Sequence, residues 1–240
     1  MRSAARDLRR RRAHVPVTRQ MPNEPKAPVM SAVAEGATPA TQVLGLGRDR
    51  DGLVCVPPGY SQDAPAPMMV LLHGAGADAE TIVSAVRRDT DAAGVLLLAP
   101  ESRGRTWDAV LDRPGPDVDF LNAAVKSVVG RFAVNTKVVA LAGFSDGASY
   151  ALSLGVANGG LFRHIMAFSP GFMTPLGKHG QPRIFMAHGV DDAVLPIDAC
   201  SRALRAQLLT AGYDVTYREF SDGHIIPPGI AAEAMRWWLA

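Results

Sequence analysis

Three residue types able to share one acyl-transfer chemistry stand far apart in this chain: Ser145, the neighbouring acids Asp191 and Asp192, and His224. A serine hydroxyl is a poor nucleophile at neutral pH and needs an adjacent base. An imidazole titrates near neutrality, so it can take that proton and return it to a leaving group. A carboxylate holds the imidazole tautomer and stabilises the imidazolium. Ser145 sits in Gly143-Phe144-Ser145-Asp146-Gly147, after the apolar run Val138, Val139, Leu141, Ala142 and before the Ala-, Leu- and Ser-rich stretch Ala148–Asn158. That spacing predicts a strand, a tight turn and a helix, and Gly-x-Ser-x-Gly at such a junction is the nucleophile-elbow pattern. The glycines let strand and helix pass close to a serine lifted on a strained turn. An ordinary glycine-rich loop would read the same way, so the other partners must decide.

The elements that would position these residues follow from the patterning. TQVLGL and GLVCVPP flank an Asp-Gly pair that favours a hairpin turn. APMMVLLHG, GVLLLAP, HIMAFSP and RIFMAHG are continuous apolar strands of the kind buried on both faces, and DVTYREF alternates with period two. Between them, helices are predicted over Asp78–Ala92 with Asp78 as N-cap, Asp117–Phe132, Ala148–Asn158, Asp198–Ala211 with Asp198 as cap, and Pro227–Leu239. From residue 67 strands alternate with helices, which predicts an α/β domain with a mainly parallel sheet covered on both sides. One domain, 41–240, is expected, with residues 1–40 as a disordered basic extension.

Ligands of a parallel sheet sit beyond the carboxyl ends of its strands. Ser145, Asp191-Asp192 and His224 each follow a different strand, in the order Ser…Asp…His expected of the α/β-hydrolase triad. Two backbone N–H groups are expected to receive the oxyanion: that of Asp146 and that of Ala75 in the loop His73-Gly74-Ala75-Gly76. Gly76, Trp107, Phe172 and Met173 are candidate substrate contacts, although such aromatic and Met residues are as often core filler. His73 and His188 precede glycines at strand ends and are read as bonding loop backbone. His14, His164 and His179 are read as structural.

Composition narrows the classes. The apolar share is 48% and no apolar run reaches membrane-spanning length. The net charge of +2 is uneven: residues 1–26 carry eight basic and two acidic side chains, and the remainder carries 17 basic and 21 acidic. The body is therefore mildly acidic and predicts no nucleic-acid surface. The basic tail lacks the apolar stretch of a secretory signal, so cytoplasmic residence is the default expectation. Two distant cysteines imply no disulfide framework, and no Cys/His spacing or phosphate-cradling glycine loop implies a metal or cofactor.

The motifs together resemble the phospholipase/carboxylesterase family of α/β-hydrolases, which includes acyl-protein thioesterases. LLHGAGAD is similar to its oxyanion loop, GFSDGA to its nucleophile motif, HGVDDAVLP to its acid motif and DGH to its histidine motif, over residues 67–226. The resemblance implies an α/β-hydrolase fold with a central sheet of about eight strands and little or no lid, no cofactor, and Asp192 as the acid. It implies a serine esterase for short-to-medium acyl or aryl esters, acting as monomer or homodimer. Asp146 stands where thioesterase-like members have Gln, and RGRTWD and SYALSLG look more like bacterial esterases of the family. Thioesterase, lysophospholipase or peptidase activity is the rival on the same triad, and a non-catalytic ligand-binding protein is the rival of another class.

Overall fold

The computed structural model describes residues 40–46, 49–108 and 115–240. The expectations for the basic extension and for His14 lie outside these residues. Eight strands form one sheet: β1 (Ala40–Val43), β2 (Gly52–Val56), β3 (Ala66–Leu72), β4 (Leu96–Pro100), β5 (Val134–Phe144), β6 (His164–Phe168), β7 (Arg183–Gly189) and β8 (Val215–Phe220). Among the described residues five α-helices accompany them: α1 (Ala79–Ala92), α2 (Pro116–Arg131), α3 (Asp146–Ala157), α4 (Ala203–Thr210) and α5 (Pro228–Leu239). Each apolar run singled out in the sequence is a strand. β1 and β2 pair antiparallel, β2 joins β4 antiparallel, and every pairing from β4 through β8 is parallel.

The strand order is 1-2-4-3-5-6-7-8. After β3 the chain crosses to β4 on one side, and later returns to place β5 on the other. The order therefore reverses between β3 and β5, which is where a parallel sheet opens a crevice at its carboxyl edge. The pleat divides the core between two faces. Met68, Val70 and Leu72 of β3 pack with α2, α3 and α4 residues such as Leu121, Leu152 and Leu208. Met69 and Leu71 pack with Ile82 and Val86 of α1 and with Ala231 and Trp238 of α5.

Helix boundaries follow local chemistry with two exceptions. Asp78 caps α1 as expected, its carboxylate accepting the Thr81 N–H at 2.8 Å. Asp198 does not cap a helix; it lies in a π-helical turn, Asp198–Arg202, that runs into α4, and it pairs with Arg202 at 2.8 Å. The elbow helix begins at Asp146 rather than Ala148, because the turn behind Ser145 winds directly into it. No helix among the described residues is long and apolar enough to cross a membrane.

Candidate active site

Ser145 joins β5 to α3 with φ 56° and ψ −121°, a left-handed conformation that L side chains rarely adopt. Such a residue stores on the order of 1–3 kcal/mol and persists only where its surroundings impose it. Here they do. A Cβ on Gly143 would lie 2.2 Å from the Gly147 carbonyl oxygen, and one on Gly147 would lie 2.2 Å from the Leu72 oxygen. The two glycines thus let α3 start against the ends of β5 and β3 at once. The Ser145 N–H donates to Phe168 O at 2.9 Å, tying the turn to β6 as well.

Asp192 and His224 meet across the ends of β7 and β8. His224 Nδ1 is 2.6 Å from Asp192 Oδ2, and the ring lies 4.7 Å from that of Phe144, the residue before Ser145. The approach depends on Gly189, where a Cβ would stand 2.2 Å from Asp222 O in the turn that carries His224. Of the two neighbouring acids, Asp191 is exposed, whereas Asp192 is 5% exposed and holds the contact. Its other oxygen, Oδ1, accepts the Val194 and Leu195 N–H groups at 2.9 and 2.8 Å. Burial alone would raise this carboxyl's pKa, but the Leu195 N–H, the His224 ring and the Val194 N–H outweigh it and hold the group below its ordinary value.

His188 bonds loop backbone, as its place before a glycine at a strand end predicts, and it makes a further contact. Its Nε2 lies 2.9 Å from Leu195 O and 3.1 Å from Asp192 Oδ2, with both side chains fully buried. Both partners of Nε2 are acceptors, so the proton sits there, and Nδ1 accepts from the Ser201 hydroxyl at 2.5 Å. Burial pushes the His188 pKa down, which keeps the ring a neutral donor. Asp192 therefore has all of its roughly four acceptor positions filled.

The loop after β3 lies beside the elbow: a Cβ on Gly74 would be 3.3 Å from Ser145 Cβ. His73 bonds backbone, as expected, through Nδ1 to Gly74 O at 2.7 Å and Nε2 to the Ser102 N–H at 3.0 Å. Gly76 was a candidate substrate contact, but its N–H is committed to Arg105 O at 2.7 Å. Ala75 is left as the exposed residue between two glycines. Asp146 opens α3, so its N–H is one of the groups a helix start leaves without an intrahelical partner.

Trp107 does not line the cleft. It is 2% exposed, its indole N–H donates to His73 O at 2.8 Å, and its ring stacks on Tyr150 at 5.3 Å. A large aromatic with one donor fills the space under the loop better than it fills open water. Phe172 and Met173 are half-buried on the loop after β6, and the Phe172 N–H donates to Ser149 Oγ on the elbow helix at 3.3 Å. His164 sits half-buried at the start of β6, away from these loops. Sequence reasoning missed Ser149, Thr106 and Arg50. Arg50 donates to Ser102 O at 2.7 Å and to Ala77 O at 3.0 Å, bracing the same loop. Thr106 and Ser149 lie in the family-like stretches RGRTWD and SYALSLG, but nothing in those stretches marks their contacts, which reach residues distant in the chain.

Comparison with known proteins gives a concordant picture. A family model described as "Putative esterase" matches residues 44–207. "Putative esterase NocK" of Nocardia uniformis subsp. tsuyamanensis is 31% identical over 187 residues, covering 71% of this chain and 53% of that protein. "Feruloyl esterase D" of Neurospora crassa is 25% identical over 186 residues, covering 71% and 61% respectively. The chain thus spans between half and two thirds of the length of these relatives. The crystal structure of S-formylglutathione hydrolase (FrmB) from Staphylococcus aureus superposes with a TM-score of 0.70 at 13% identity, covering 85% of this chain and all of that one. The expected α/β-hydrolase fold is the fold observed.

Proposed function

This chain belongs to the esterase family whose model it matches over residues 44–207, and on that premise we propose that it is a serine carboxylesterase for short-to-medium acyl or aryl esters. The observation that carries the reading is the 2.6 Å contact of His224 with the buried Asp192, against the residue that precedes a strained Ser145. With its Nδ1 proton held by Asp192, His224 presents an unprotonated Nε2 as base. Ser145 Oγ attacks the ester carbonyl carbon as its proton passes to Nε2. The Ala75 and Asp146 N–H groups receive the oxyanion, each worth roughly 3–4 kcal/mol. Collapse breaks the bond to the leaving alcohol, which takes the Nε2 proton, and leaves an acyl group on Ser145. Water, deprotonated by the same imidazole, then releases the acid and restores the serine.

The catalytic domain spans residues 41–240, acts without cofactor, and works in the cytoplasm on a small-molecule ester as a monomer or homodimer. Phe172 and Met173 contact the acyl group from the loop after β6. The feruloyl esterase relative supports including aryl esters in the substrate range. The test is a burst-phase assay with p-nitrophenyl acetate, butyrate and octanoate, and with methyl ferulate. Wild type should show a burst on the nitrophenyl esters, and Ser145→Ala should lose about 10⁴-fold or more in kcat. A folded wild type that hydrolyses none of them would sink the proposal.

A further inference from the structure

The segment Arg105–Trp107 makes three contacts to the site in three consecutive residues. Arg105 O accepts the Gly76 N–H at 2.7 Å, Thr106 Oγ1 donates to Asp146 Oδ2, and Trp107 Nε1 donates to His73 O at 2.8 Å. Two of these grip the loop that carries Ala75, and the third grips the residue after Ser145. The ring of Trp107 then stacks on Tyr150, four residues and one helical turn beyond Asp146, and the Tyr150 hydroxyl donates to Asp108 at 2.6 Å. The segment is a strap laid along one face of α3 and under the loop.

We propose that Thr106, acting through the Asp146 carboxylate, is a positioning residue that sets the spacing of the Ala75 and Asp146 N–H groups. This rests on the oxyanion roles proposed above for those two groups. The two donors come from different elements: the Ala75 loop follows β3, and Asp146 starts α3. An oxyanion donor is effective only where it is already aimed at the developing charge, so a link between the two halves belongs to the reaction rather than to binding. The short Asp146 side chain is what the hydroxyl grips. The contact also holds a negative carboxylate on the strap side, away from the forming oxyanion, where like charge would oppose catalysis.

The test measures kcat and KM for p-nitrophenyl butyrate, and Ki for a trifluoromethyl ketone that forms an oxyanionic adduct on serine. It uses wild type, Thr106→Val, Thr106→Ser, Asp146→Ala and the Thr106→Val/Asp146→Ala double variant, with thermal midpoints taken in parallel. Thr106→Val should lower kcat about 10- to 100-fold, a part of what loss of a whole donor costs. KM should stay within about threefold, and Ki should rise by the same factor as kcat falls. Thr106→Ser should keep near-wild-type kcat, and the double variant should be no worse than the poorer single. Equal losses in Val and Ser variants, additive losses, or a kcat drop without a matching Ki rise would overturn the proposal and leave a packing role. A folded wild type that hydrolyses none of the esters would take down the esterase mechanism and this proposal together. An active wild type with an unaffected Thr106→Val would take down this one alone.

Discussion

The proposed catalytic acid is held by more than its histidine. Asp192 is fastened by two backbone N–H groups on one oxygen and by His224 and His188 on the other. A hydrogen bond to a charged group contributes about 1.5–3 kcal/mol, so removing the His188 donor should release the carboxylate to rotate. His188→Leu is expected to lower kcat about 10- to 100-fold at nearly constant KM. His188→Gln, whose amide nitrogen can occupy the position of Nε2, should recover most of the loss. Equal loss in both variants, tracking a fall in thermal midpoint, would show that the ring matters for packing alone.

At the level of elements, the crevice depends on how closely strands and helices can approach. Gly147→Ala would set a methyl group 2.2 Å from Leu72 O, at the end of β3, and 2.5 Å from His73 O, at the start of the loop that follows it. The variant should lose more than about 3 kcal/mol of stability and its activity with it, read as a drop in denaturant midpoint. Gly130, near the end of α2, is the contrasting case, since a Cβ there meets nothing within 4 Å. Gly130→Ala should stabilise by about 0.5–1 kcal/mol and leave turnover unchanged. If both variants behaved alike, the close packing at the elbow would be irrelevant to stability.

For the whole molecule, pH dependence is set by histidines that the fold keeps neutral. Burial holds His73, His164 and His188 below the ordinary imidazole value. Because their folded pKa values lie below the unfolded value near 6.5, the unfolded chain binds more protons once pH drops beneath that value. Stability should thus be flat above about pH 7.5 and fall as pH drops through 6.5 towards 5. Each group contributes at most about 1.4 kcal/mol per pH unit. Asp192 acts in a lower window: its depressed pKa contributes stability above about pH 4 that is lost on further acidification. Urea midpoints measured from pH 8 to 5 should show the decline, with a shallower slope in His188→Gln. A flat profile would mean that these rings are hydrated in solution.

How much of this was legible in the chain divides along a physical line. The inner strands β2 to β7 were visible as apolar runs, because burial is written locally, and the edge strand β8 was visible as a period-two alternation. The elbow was visible because Gly143 and Gly147 must lack side chains wherever Ser145 is lifted. The order Ser, Asp, His was readable too, since each residue directly follows its own strand. The strand order was not, and it is the reversal between β3 and β5 that brings the loop of Ala75 beside Ser145. Nor could patterning choose between Asp191 and Asp192, adjacent residues that point to opposite environments once β7 ends. Trp107 reads equally as pocket or core until Tyr150 and His73 are seen to enclose it. Thr106 meets Asp146 forty positions away and Arg50 reaches Ala77 across the turn, with no repeat or spacing to announce either. The sequence by itself determined the elements and the chemistry each one ends on, because those depend on neighbours along the chain. Tertiary structure decided which ends meet and what holds them in register, because those contacts depend on distances that exist only after the sheet has formed.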